Sequence, residues 1–465
     1  MEVVKRCKVA LACLGLLAGI PDAAFSQVQN PMDPSLTELG YIPLPDLGFG
    51  TYTRDGYTEI GGLYPGGWCT RPPELEARAL EIARDQIQPL DADGNPDPEH
   101  GKIVMMSAGM SNTVIAFEGH AGDDYDCFRE RAERDPARNR QLVVVNGAQG
   151  TRAAMDWAPV DSTTYTTMKK NLAKYGVTAA QVQVVWVFHA LRETGPFPTY
   201  AQELQGYLEA TARNLKVHFP NVKLAYYTSR ERAYLMRRKG EPDCYEAGFA
   251  IRWMIERQMN GAPQLNWDPE QGEVVAPLIL WGPYFWCDGL RERSDGLIWT
   301  CCEPTSDVYN NPHPEASGAQ KCADQVYAFF KTDPTATPWY LRHNVTDLPP
   351  QVTACADVNE GDAPLTVHFS AEASDADGAI TEYVWTFGDG TFSYNPNGAP
   401  GGEPFYLNPS PVKIFHNPGV YTAYLTVTDN DGNATVATVQ VTVTGQPPMP
   451  TTTGDSPPES PGRSR

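Results

Sequence analysis

Five short apolar runs constrain this chain more than any other feature. They are KIVMMSA, QLVVVNGA, QVQVVWVF, VKLAYYTS and VVAPLILW, all lying between residues 102 and 281. Each is continuous rather than alternating and rich in Val and Ile, as strands covered on both faces are. Helical segments separate them. The clearest is TYAQELQGYLEATARNLKVHF, where Leu204, Tyr207, Leu208, Thr211 and Leu215 recur at three- and four-residue spacing. Strand and helix in alternation predict a parallel sheet with helices on both faces, and in such folds ligands bind beyond the carboxyl ends of the strands.

The pattern stops at TDLPPQ, residues 346–351. Beyond it, short alternating runs are divided by Gly, Pro, Asn and Asp, as in an all-β module. The last residues, QPPMPTTTGDSPPESPGRSR, lack apolar material for a core and are expected to be disordered. At the other end, Lys5, Arg6 and Lys8 precede the apolar run VALACLGLLAGI, and Ala24-Phe-Ser26 offers small residues for cleavage. This reads as a signal peptide over residues 1–26. The expected organisation is therefore 1–26 signal, 27–345 α/β domain, 346–445 β module and 446–465 tail.

Without residues 1–26 the chain carries 33 Lys and Arg against 55 Asp and Glu. Such a surface repels nucleic acid and anionic membranes, and no basic, aromatic-rich patch interrupts it. No later run is long enough to span a bilayer, so a secreted or periplasmic location is expected. Eight cysteines remain: Cys69, Cys127, Cys244, Cys287, Cys301, Cys302, Cys322 and Cys355. An even number in an exported chain predicts disulfides, while the absence of a CxxC pair argues against zinc.

The first apolar run ends in Ser-Ala-Gly and then Met110-Ser111-Asn112. A serine at a strand's carboxyl end is placed as a nucleophile would be, but it needs a base and donors for the oxyanion. The second run leads into NGAQGTRAAMDW, whose Gly150 turn opens a helix. Much later, His313 stands in a Pro-bounded loop just before an amphipathic helix. The plainer readings are a turn serine, a tight-turn glycine and a packing histidine.

Taken together, Ser111, Gly150 and His313 in this order resemble the SGNH (GDSL-type) hydrolase superfamily over roughly residues 100–331. The resemblance implies a five-stranded parallel α/β/α sandwich of flavodoxin-like type. It also implies a serine esterase with Ser111 as nucleophile, His313 as base and the Ser111 and Gly150 N–H groups in the oxyanion hole. The chain departs from the family pattern at three points. Met110 stands where the family has Asp, no Asn follows the third strand (Asn112 is a candidate substitute donor), and Asn310 stands three residues before His313 where the family has Asp. Asn310 can hold an imidazole in one tautomer without stabilising its charge. The competing reading is a non-catalytic exported binding or adhesion protein on a degenerate hydrolase scaffold.

His189 and His120 read as structural, Asp123-Asp124-Tyr-Asp126 as a solvated loop, and DADGNPD at 91–97 as a turn. LTVHFSAEASDADG, YVWTFGDG and GVYTAYLTVTDNDG resemble the PKD domain, an immunoglobulin-like sandwich in which Trp385 would be a core residue. The resemblance implies a spacer, or a cell-surface or polysaccharide contact, and the stretch 401–411 adds aromatics for a partner. Asp375, Asp377 and Asp389 are candidates for a structural Ca²⁺ in this module, with acidic turns the plainer reading. No other cofactor is expected. The substrate implied is a small ester or an acylated polysaccharide.

Overall fold

A computed structural model describes residues 38–119, 125–234, 240–300, 303, 305–306, 313–342, 348–393, 405–446 and 451–454. The signal-like segment, His120, Asp123, Asp124, Asn310, Cys301 and Cys302 lie outside the described residues.

The five apolar runs form β1 (Ile103–Gly109), β2 (Leu142–Val145), β3 (Val182–Phe188), β4 (Leu224–Thr228) and β5 (Leu278–Trp281). They make one parallel sheet in the order β2-β1-β3-β4-β5. Every residue of β1, β3, β4 and β5 is buried, which is why these runs do not alternate. Helices α1 (Ser111–Phe117), α2 (Phe128–Arg134) and α6 (Ala316–Thr332) pack together in one layer. Helices α4 (Thr199–His218) and α5 (Asp243–Met259) pair elsewhere, and α3 (Thr163–Lys174) joins them through the short helix Ala154–Trp157. On α4, Leu204, Leu208, Thr211 and Leu215 face inward as the spacing predicts.

Among the described residues the C-terminal module is a sandwich of seven strands. Its three-stranded sheet joins β6 (Gln351–Ala356), β8 (Leu365–Ser374) and β10 (Val412–Phe415). The facing sheet runs β7 (Glu360–Asp362), β12 (Ala434–Thr444), β11 (Gly419–Asp429) and β9 (Ile380–Thr386). Trp385 is buried between the sheets, 5.3 Å from the Phe369 ring.

The sandwich packs directly on α6. Lys331 of α6 is wholly buried, 2.7 Å from Asp135 and 3.0 Å from Glu382 of β9. Phe392 and Val384 of the module join the large core of the α/β domain. The WTFGDG turn carries much of this contact. Gly390 accepts a hydrogen bond from the Tyr284 N–H, and a Cβ on Gly390 would lie 2.6 Å from Leu63. Its backbone also has φ +77°, so glycine is required there twice over.

Three expectations change. The six described cysteines are free thiols, five buried and Cys355 exposed on β6, so no disulfide forms among them. The tail is not wholly without structure, because Thr451–Thr453 pairs in parallel with Thr51–Thr53 of an N-terminal hairpin, and β-branched threonines suit an added edge strand. Tyr406, from the stretch offered to a partner, lies over the Arg131 guanidinium of α2 at 4.5 Å and is engaged internally. Among the described residues no helix is long and apolar enough to cross a membrane.

Candidate functional site

The strand order reverses at β1, whose neighbours β2 and β3 follow it on opposite sides, and this switch point is where open parallel sheets generally offer a crevice to a ligand. Ser111 lies at this switch point as the first residue of α1, partly buried. The approach is tight: a Cβ at Gly109 would sit 2.1 Å from Thr113 Oγ1 and 2.3 Å from the Phe188 carbonyl oxygen. Glycine there lets β1 turn into α1 against the end of β3.

The Gly150 turn is tied to the same strand end. The Gln149 N–H donates to the Gly109 carbonyl at 2.9 Å, and Ser107 Oγ donates to Asn146 Oδ1 at 2.7 Å. Gly150 itself is exposed, with open space where a Cβ would be, and Thr151 after it has φ +66°. His313 is partly buried in the bend three residues before α6, the helix that packs against α1. Both helices begin at the carboxyl end of the sheet, which puts the His313 loop and Ser111 at the same end of the fold. Asn112 does not present itself as a spare donor, since its Nδ2 donates to Glu231 Oε1 at 2.5 Å.

Sequence reasoning missed the opposite wall. After β4 come Ser229, Arg230, Glu231 and Arg232, all buried. Arg230 pairs with Glu231 at 3.1 Å and reaches the Met110 sulfur at 3.6 Å, so both neighbours of Ser111 contact this pair. Arg232 pairs with Asp288 at 3.4 Å, and Asp288 accepts the Leu39 and Gly40 N–H groups. The signal was present as three consecutive charged residues directly behind an apolar strand. Burial pushes the Glu241 carboxyl up to about 7, partly offset by Arg232, and burial with Glu246 pushes Asp243 to about 7. His189, at the end of β3, is buried against Trp157 at 5.1 Å, and desolvation lowers it to about 3. It is neutral, in keeping with a structural role.

In the sandwich, Asp389 belongs elsewhere than the acidic group: it pairs with buried Lys413 at 2.9 Å. Oxygens of Asp375, Asp429 and Asp431 instead lie within 4.8 Å of one another. Hard carboxylate oxygens suit Ca²⁺, but Asp429 already accepts the Asp431 and Asn433 N–H groups at 2.8 Å, as an ordinary acidic turn does. Asp91 likewise caps its own turn by accepting the Asn95 N–H at 2.8 Å.

Fold and site together define a three-layer α/β/α protein carrying a C-terminal β-sandwich. Residues 348–443 match the sequence model of the PKD domain, and this part of the chain is a PKD domain. No curated protein matches the chain. Among solved structures, the PKD1 domain of the Vibrio cholerae metalloprotease PrtV is 25% identical, covering 21% of this chain and 98% of that one at TM-score 0.16. A structure described for carbohydrate-binding modules of the β-sandwich superfamily is 29% identical over 22% of this chain, at TM-score 0.18. The chain spans only 36% of that structure's length. The protein YXIM from Bacillus subtilis is 13% identical, covering 51% of this chain and 58% of that one at TM-score 0.28.

Proposed function

We propose that the protein is an exported serine esterase of the SGNH type, acting on an ester such as an O-acyl group on a carbohydrate. The observation that carries this reading is the position of Ser111. It opens a helix at the switch point of a 2-1-3-4-5 parallel sheet, and the His313 loop leads into the helix packed beside it.

Ser111 Oγ attacks the ester carbonyl while His313 takes its proton. The N–H groups of Ser111 and Gly150 hold the oxyanion, and His313 then protonates the leaving alcohol. A water activated by His313 hydrolyses the acyl-serine. Asn310, three residues before His313 in sequence, stands where the family has Asp and brings no charge to stabilise the imidazolium, so slower turnover than with a carboxylate is expected.

The test is hydrolysis of short-chain aryl esters by the purified protein. Ser111→Ala and His313→Ala should each abolish it with the fold intact, and the two losses should not add. A protein inert toward a broad ester panel, or a Ser111→Ala variant as active as the parent, would overturn the reading in favour of a binding protein.

A further inference from the structure

A cavity away from Ser111 lies where the sandwich meets the α/β domain. It measures about 630 Å³, within the range of roughly 300–1,000 Å³ typical of small-molecule sites. No residue of β1 or α1 lines it. Its walls come from three parts of the chain: the segment around residues 63–76, the ends of β5 and α6, and the WTFGDG turn with β11.

The wall is mostly apolar, with one polar centre. Arg71 donates to Glu76 and, at 2.9 Å, to Asp333, and its side chain is about nine-tenths buried. The phenols of Tyr64 and Tyr424 flank this triad. Burial pushes both up to about 12, and each feels Arg71, Glu76 and Asp333. At the rim Trp68 is 46% exposed, yet its ring is held edge to face by Phe49 at 5.0 Å. An exposed tryptophan fixed in orientation offers a rigid apolar face.

We propose that this interdomain cavity binds a neutral saccharide of one or two rings. A sugar ring has an apolar C–H face that an aromatic plane covers, and an edge of adjacent hydroxyls that planar carboxylate and guanidinium groups pair with. Trp68 supplies the plane; Arg71, Glu76, Asp333 and the two phenols supply the pairing groups. Charge narrows the class. The triad carries one cation against two carboxylates in a chain of net charge −21, which disfavours an anion. The central Arg71 disfavours a cation. A purely apolar guest would leave the triad desolvated without compensation. The proposal does not rest on the esterase reading, because Ser111 is absent from the lining.

The experiment uses the full chain, and none of the probes carries an ester that the Ser111 reading would have it hydrolyse. Cellobiose, xylobiose, maltose, galactobiose and N,N′-diacetylchitobiose, with their monosaccharides, are screened by ligand-observed NMR and tryptophan fluorescence. At least one should bind and change the fluorescence. Trp68→Ala should weaken that binding about tenfold, the equivalent of roughly 1.4 kcal/mol. Glu76→Gln should weaken it as well, and both variants should keep the parent's melting temperature closely enough to exclude unfolding. Three results would overturn the proposal: no saccharide binding at millimolar concentration, binding indifferent to both substitutions, or tighter binding of glucose 1-phosphate or tetramethylammonium than of any neutral sugar.

Discussion

Replacing Lys331 by Met tests how the two halves of the molecule are joined. The ammonium has no exposure and lies 2.7 Å from Asp135, 3.0 Å from Glu382 and 3.2 Å from the Tyr327 hydroxyl. Desolvation alone would push the Lys331 pKa down, but Asp135 and Glu382 together raise it, so the group is charged. Met fills nearly the same volume, which isolates the electrostatic consequence. Glu382 keeps two contacts to the Tyr327 hydroxyl at 3.0 Å and some solvent. Asp135 fares worse: it is 3% exposed and keeps no cation, its remaining neighbours being the Ala137 N–H on Oδ1 and the buried Tyr340 phenol. Leaving a buried charge uncompensated costs about 3–5 kcal/mol, a large part of a typical stability of roughly 5–15 kcal/mol. Urea denaturation followed by tryptophan fluorescence gives the difference. Asp126→Asn, which removes an ion pair whose side chains are 62% and 52% exposed, is the control and should lose less than about 1 kcal/mol. Adding Asp135→Asn to Lys331→Met should restore most of the loss, since the stranded charge is then gone. A Lys331→Met loss no larger than the control's would refute the reasoning, by showing that water reaches Asp135.

Stability should also respond to the raised carboxyls. Glu241 holds its proton to about pH 7 when folded, against about 4.5 for a free glutamate. The folded state therefore binds more protons than the unfolded chain between those values, and this contribution is lost as pH rises through about 7. Melting curves across this window should fall less steeply with pH for Glu241→Gln than for the parent; parallel curves would contradict the assignment. For the thiols, native labelling followed by peptide mapping should modify Cys355 quickly and Cys69, Cys127, Cys244, Cys287 and Cys322 only after unfolding. A disulfide-linked peptide containing any of these six would overturn the free-thiol arrangement.

The strands were legible because total burial forces continuous apolar runs, and all five lie within the quoted segments to within one residue. Helix α4 was legible because only one of its faces is covered, which leaves a three- and four-residue spacing. Ser111 was legible from its place after an apolar run, since strand ends are where a parallel sheet exposes reactive groups. Arg230, Glu231 and Arg232 were not, because charged residues in sequence ordinarily mean solvent, and it is partners such as Asn112 and Asp288, distant in sequence, that make burial tolerable. The cavity was hidden for a different reason. Its walls come from segments more than two hundred residues apart, and each segment alone reads as a turn or a strand edge. The free thiols defeated a rule based on compartment and parity, which carries no information about distance.

PKD modules are easily imagined as beads on a flexible string, to be cut out and strung elsewhere. The junction at the WTFGDG turn gives this one a different mechanical character. Lys413 is wholly buried and reaches Ser294 Oγ at 2.5 Å, Ile414 donates to the Ser294 carbonyl, Phe392 donates to Asp295, and Asn417 donates to the Pro45 and Asp46 carbonyls. Swinging the sandwich away would strip several buried polar groups of their partners at once. As a cassette it could not be transplanted without Asp46, Ser294, Asp295 and Glu382's counterpart Lys331. It behaves as a fixed bracket, so any long polymer touching both Ser111 and the sandwich would meet them at one set distance and angle, like marks on a ruler.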